Sequence, residues 1–378
     1  MTLEAQKQHI KQQLANFSLL NSEGMAVTRL GISIIMIYPF GYTAEKKLNV
    51  LNCFRRFRDE FGYELRFHTH EFSGLKKYNE ANIEKFEIKF LAGTDKDDLE
   101  WDVSDAFDLD TAPNYLMSMV TSLEASGHYS RSYLNLTLPW DYIFQENGLA
   151  KFQGWFDFLK EQLSPDAGYC DFGIIVPRNQ HEYQAQERML AERYPLLAVN
   201  SSIHVYAADF GTSVRGVNWI TIISPYLLQC IGGMDWVRKK LSPYPEIQLT
   251  ESPESLVIQI GEYPILCDSL ASVPESYYAV NDLLRPIRLV PDDSLHTRGY
   301  GHFDIPATKA WYSRLDRAPL KVTPIVAGEP ALVAGYYHTE KGGLKEAYFE
   351  QGDIAFDVNN NLEGTTLWHL VREGKRDD

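Results

Sequence analysis

The sequence predicts a mixed α/β protein, one sheet covered by helices, followed by a small β-rich C-terminal module. Three observations predict it. Strand-like and helix-like runs alternate through the first half of the chain, the pattern shortens after Val217, and the final segment is turn-rich with short strands. With 378 residues there is room for two or three domains at ~150 residues each. The boundaries read as 1–290 for the α/β domain, 291–320 for a connecting segment holding Pro291, Pro306 and Pro319, and 321–378 for the β module.

The elements follow in order. Leu3 to Leu20 reads as a mainly polar amphipathic helix with Ile10, Leu14, Phe17 and Leu20 along one side. Val27 to Tyr38 is a dense β-branched run, a buried strand. Thr43 caps a helix striped with Leu48, Leu51, Phe54, Phe57 and Phe61, and Gly62 ends it. Leu65 to His70 alternates like a strand, with His68 and His70 on its exposed face, and so does Phe86-Glu87-Ile88-Lys89-Phe90. An acidic loop runs from Asp95 to Asp110, and a helix opened by Pro113 follows, with Leu116, Met119, Val120 and Leu123 on one face up to Gly127.

Ser132 to Leu138 is a strand, and a helix with Leu149, Phe152, Phe156, Leu159 and Leu163 follows until Pro165 stops it. Phe172–Val176 and Ile203–Ala207 read as short strands around a charged helix, Glu182–Arg193. Beyond them come a strand at Val217–Ile223, a short helix from Pro225 stopped by Gly232 and Gly233, a hairpin across Ser252-Pro253-Glu254, and a helix over Pro274–Leu284.

Composition narrows the function classes. Hydrophobic content of 44% with 23% charged residues is that of a globular chain and excludes disorder and coiled coil. Thirty-six Lys+Arg against fifty-one Asp+Glu give a formal net charge of −15. That balance disfavours binding to nucleic acid or anionic membranes and favours a basic partner. The most apolar stretch, Leu30–Phe40, falls short of the ~20 residues of a spanning helix. Residues 1–16 lack the apolar block of a signal peptide, and the four cysteines are scattered, so a cytoplasmic chain with reduced thiols is expected.

Catalytic motifs largely fail on inspection. Gly211-Thr212-Ser213-Val214-Arg215-Gly216 has Arg215 where a nucleophile elbow requires glycine. No glycine-rich phosphate loop occurs. His68 and His70, two apart on a strand, supply two of the three ligands a zinc site needs, with no third identifiable; His296, His302 and Asp304 raise the same question more weakly. No cofactor or metal is expected, and a metal-dependent hydrolase using His68 and His70 stays as the alternative.

The clearest anomaly is the acidic run, eight acids against the single base Lys96, with Trp101 and Phe107 among them. One reading is a solvated loop that aids solubility; the other is a docking surface for a basic protein. On the second, Asp95, Asp97, Asp98, Glu100, Asp102 and Asp105 steer the encounter and Trp101 supplies the buried anchor.

Arg215-Gly216-Val217-Asn218-Trp219-Ile220-Thr221, then Ser224-Pro225 and Ile231-Gly232-Gly233, resembles a signature of bacterial type VI secretion immunity proteins. Phe54 to Leu65, Gln259-Ile260-Gly261 and Pro274–Leu284 extend the resemblance over roughly 25–290. Near the C-terminus, Ala327-Gly328-Glu329-Pro330, Gly335-Tyr336-Tyr337, Glu350-Gln351-Gly352-Asp353 and Thr365-Thr366-Leu367-Trp368 resemble a small module of type VI secretion-associated proteins. The resemblance implies a non-enzymatic immunity protein. It would bind a secreted antibacterial effector, a DNase of the replication-repair nuclease type, and block its active site or DNA-binding surface. A non-catalytic adaptor of the secretion apparatus is the remaining alternative. Within the signature, Gly216, Asn218, Trp219, Gly232 and Gly233 read as structural residues: Trp219 in a buried strand, the glycine pair ending a helix.

Overall fold

A strand of Ile-Ser-Ile-Ile-Met-Ile cannot face water on either side, and that places it in the middle of a sheet. β1 (Arg29–Tyr38) is buried at every position after the first and pairs antiparallel with β6 (Ser132–Pro139) on one side and β7 (Ala167–Ile175) on the other. The computed structural model describes residues 3–70, 74–94, 99–121, 131–200, 211–289, 294–296, 302–317, 325–331, 334–339, 345–358 and 366–373. The chain divides into two units, Met1–Leu315 and Asp316–Asp378.

In the first unit ten strands form one sheet in the order β3-β2-β4-β5-β6-β1-β7-β8-β10-β9. The remaining strands are β2 (Phe67–His70), β3 (Lys76–Lys77), β4 (Leu99–Ser104), β5 (Leu116–Thr121), β8 (Ile220–Ile223), β9 (Ile247–Glu251) and β10 (Leu256–Ile260). Every neighbouring pair is antiparallel.

One face is closed by α2 (Ala44–Phe61), which packs between α3 (Glu80–Ala92) and α4 (Gly148–Leu163). Thr43 starts α2, its Oγ1 accepting the Lys46 N–H at 3.3 Å. The buried stripe of α2 is Val50, Leu51, Phe54, Phe57 and Phe61, while Leu48 stays exposed. In α1 (Leu3–Phe17), Ile10 and Phe17 are buried, and Leu20 lies beyond the helix in the open.

Three expectations change here. Phe86 to Phe90 is helix, not strand: Asn79 caps α3, Ile83, Phe86 and Phe90 form its buried face at helical spacing, and Ile88 is 65% exposed. Leu116 to Val120 is strand, not helix, because β4 and β6 pair with it on both edges and bury Met117, Met119 and Thr121 in alternation. Leu123 and Gly127 lie outside the described residues. The acidic stretch is not one loop, since β4 occupies its middle. Trp101 is 1% exposed, stacked on Phe54 with centroids 3.8 Å apart and 4.6 Å from Phe86, so it is a core residue and not a docking anchor.

Toward the other edge lie α5 (Gln184–Arg193), α6 (Pro225–Cys230), α7 (Gly233–Leu241) and α8 (Glu275–Leu284). The β9–β10 hairpin closes through Ser252 and Ser255 as expected. Ile203–Ala207 lies outside the described residues. The stretch 291–320, expected as a connector, carries α9 (Ile305–Tyr312), and Leu295, Phe303, Trp311 and Tyr312 belong to the main core. The cysteines are free thiols, three of them buried.

The second unit is a four-stranded sheet, β11 (Ile325–Val326), β12 (Gly335–Thr339), β13 (Lys345–Phe349) and β14 (Leu367–Glu373), in the order β11-β14-β12-β13. Tyr337, Phe349 and Trp368 make its core, and Trp368 Nε1 donates to the Phe356 carbonyl at 2.7 Å.

Trp101→Ala is expected to lower unfolding free energy by ~3–5 kcal/mol as a core cavity, and Ile88→Glu to change it by less than ~0.5 kcal/mol. Urea denaturation of the two variants checks both; equal losses would return the 86–90 segment to a buried strand.

Candidate functional site

Because β4 turns Trp101 and Val103 toward the helices, Glu100 and Asp102 must point to the opposite face. There a row of polar side chains runs in register across four strands: Thr69, Asp102, Ser118 and Asn135. The row continues through Ile35 to Tyr169, where Arg215 and Trp311 cover it. Over β2, β4, β5 and β6 a cleft of about 260 Å³ opens on this face, bordered by the segment after β7 from Val176 to Gln180. Thr69, Glu100, Asp102, Asp108, Ser118 and Asn135 line it, with Arg178 from the segment after β7. Arg178 bridges both carboxylates, 2.9 Å from Glu100 and in direct ion contact with Asp102. Thr69 Oγ1 donates to Asp102 at 3.2 Å and fixes that carboxylate further.

Only part of the expected docking set meets here. Glu100 and Asp102 do. Asp105 instead accepts the backbone N–H groups of Asn114 and Tyr115 at 2.8 and 3.0 Å, tying down the chain between β4 and β5. Trp101 lies on the wrong face. Asp95, Asp97 and Asp98 lie outside the described residues.

The histidines do not form the expected exposed pair. His68 is 2% exposed and opposite Val103 in the β2–β4 ladder, on the helix side, because its register neighbour Thr69 takes the open side. The side chain of His70 lies outside the described set. His296 is buried against Glu187, Nε2 to Oε2 3.0 Å, and its Nδ1 accepts the Phe303 N–H at 3.1 Å. The proton therefore sits on Nε2 and is donated to the carboxylate. Asp304 caps α9 through the Ala307 N–H. Among the described residues no three His, Cys, Asp or Glu side chains are placed to share a metal ion.

The signature residues build a second, buried cluster. Asp171, on β7, accepts the Trp219 N–H at 2.8 Å, the Phe172 N–H at 2.8 Å and Asn218 Nδ2 at 3.5 Å. Arg215 donates to the Tyr169 hydroxyl at 2.6 Å, and Gly216, next in sequence, takes φ +140°. Trp219 is 1% exposed and packs on Phe152, its Nε1 donating to the Gly261 carbonyl. Gly232 and Gly233 (φ +100° and +79°) turn α6 into α7, a path costly for any residue with a Cβ. Burial pushes the Asp171 carboxyl up to about 7 against the pull of its three donors and Arg314. Sequence reading missed Asp171, although a lone Asp in Cys170-Asp171-Phe172-Gly173-Ile174-Ile175 is a visible signal.

A helix-backed antiparallel sheet, a buried charge cluster tied into its scaffold and an acidic cleft make up the candidate site's frame. The chain belongs to the TsiV family, type VI immunity for VRR-NUC, whose model matches residues 49–315. The match ends where the first structural unit ends. Among solved structures, the Pseudomonas aeruginosa T6SS protein PA0821 is similar in fold, with a TM-score of 0.70 and 22% identity over 80% of this chain and 86% of that one. No curated protein matches the chain. Among the described residues no helix is long and apolar enough to cross a membrane.

Between the ordinary carboxylate value and about 7, folded Asp171 keeps a proton that the unfolded chain has lost. Its contribution to stability therefore falls as pH rises through that window and is flat above it. Urea midpoints from pH 5 to 8 should show the wild type losing stability, with a shallower slope in Asp171→Asn. Parallel slopes would show that Asp171 does not titrate there.

Proposed function

We propose that the chain binds a VRR-NUC nuclease effector of a type VI secretion system and neutralises it by stoichiometric occlusion of its active site or DNA-binding surface. It performs no chemistry of its own and acts in the cytoplasm, where the DNA is. The family match over residues 49–315 carries this reading. The charge of −15 supports it, because a DNA-cutting enzyme presents a basic groove. The hydrolase alternative rests on His68, which is 2% exposed, and on His70, whose side chain lies outside the described set.

Titrating the purified chain into a VRR-NUC effector should stop DNA cleavage at a fixed molar ratio, and co-production should rescue cells from the toxin. Association should slow as salt rises, because exposed charges steer it. Full nuclease activity with the chain in excess would refute inhibition and leave the adaptor role. Inactivation by far less than one equivalent would point to catalysis instead of occlusion.

A further inference from the structure

We propose that the cleft over β2, β4, β5 and β6 is the seat of one basic side chain of the effector, an arginine or lysine, held on Asp102 and Glu100, with Arg178 as the internal cation that occupies those carboxylates until the partner arrives. The inference rests on the immunity reading and adds where the contact is made and by what chemistry.

The cleft's size limits its occupant. About 260 Å³ lies at the low end of the roughly 300–1,000 Å³ of sites that enclose drug-sized ligands, and a single long side chain suits the space. Its floor also decides the chemistry. On the helix side the same strands present Trp101, Val103, Met117, Met119, Leu134 and Leu136, all buried. On the cleft side they present Thr69, Asp102, Ser118 and Asn135 in register. Phe67, Leu116 and Tyr133 lie beside that polar row in the lining, so the cleft suits a side chain with an apolar stem and a charged head.

Charge selects a cation. Asp102 and Glu100 have side chains 17% and 36% exposed, so they are shielded more than ordinary surface acids and less weakened by salt. Asp108 adds a third carboxylate to the lining, and among the described lining residues Arg178 is the only Arg or Lys. Two carboxylates on one guanidinium leave the cluster negative and able to take a second cation. Asp102 is already oriented by Thr69, so little side-chain freedom is lost when a partner binds. A guanidinium fork matches paired carboxylate oxygens better than an ammonium does, which makes arginine the favoured visitor.

The test measures affinity of the full chain for a catalytically inactivated VRR-NUC effector by calorimetry, with thermal melts to confirm folding. Four variants separate the contributions. Asp102→Asn removes the charge, Ser118→Tyr fills the cleft while keeping both carboxylates and Arg178, and Arg178→Gln removes the internal cation. Glu254→Gln, on the exposed β9–β10 turn at the far side of the sheet, is the charge-matched control. Asp102→Asn is expected to weaken binding by about 30-fold or more, and Ser118→Tyr by about 10-fold or more. Arg178→Gln should bind at least as tightly as wild type, and the control should stay within about twofold.

If folded Asp102→Asn and Ser118→Tyr both bind like wild type, the cleft is not the seat, and the immunity reading stands without it. If Arg178→Gln loses as much as Asp102→Asn, Arg178 touches the partner itself and the displacement is wrong. If the wild type does not bind the effector at all, the immunity reading and this inference fall together.

Discussion

The stacking of Trp101 between Phe54 and Phe86 sets the parity of β4, and the open face of the sheet depends on that parity. A strand has two faces and a period of two, so sliding β4 by one residue would send the indole outward and the carboxylates into the helix layer. The aromatic packing forbids that slip. Glu100 and Asp102 are thereby presented to solvent by a side chain that never meets solvent.

The family signature and the open cleft divide the labour. Arg215, Asn218 and Trp219 are spent inward: they join β7 to β8 and hold the segment around Trp311 over Tyr169. A motif used that way can persist across proteins with different partners because it defines the scaffold. Side chains the scaffold does not use are the ones free to differ between family members, and the cleft over β2, β4, β5 and β6 offers such positions.

Much of the fold was legible in the sequence, and the misreadings have local causes. β1, α2, α4 and the β9–β10 hairpin declare themselves through unbroken periodicity and clear punctuation at Thr43, Pro165 and Ser252. Phe86-x-Ile88-x-Phe90 satisfies a strand in isolation, and only Ile83, one helical turn earlier, shows which period is real. Leu116 to Val120 has the opposite problem, since its sheet partners decide its state. The cleft was half visible. Its acids stood out by density, but density conceals that Trp101 alternates out of their company, and Thr69, Ser118 and Asn135 come from three other strands with no local mark. The core role of Leu295, Phe303 and Trp311 was hidden by prolines that read as a linker.

A sheet of ten strands still has two borders, and each border is a potential template for another molecule's backbone. Here one border is β3, only Lys76 and Lys77, both exposed. Two residues offer few unpaired amides, and their ammonium groups repel an identical approaching edge. At the opposite border β9 shows Gln248, Thr250 and Glu251 to water. These blunt, charged margins are how so wide a sheet resists growing into its own copies.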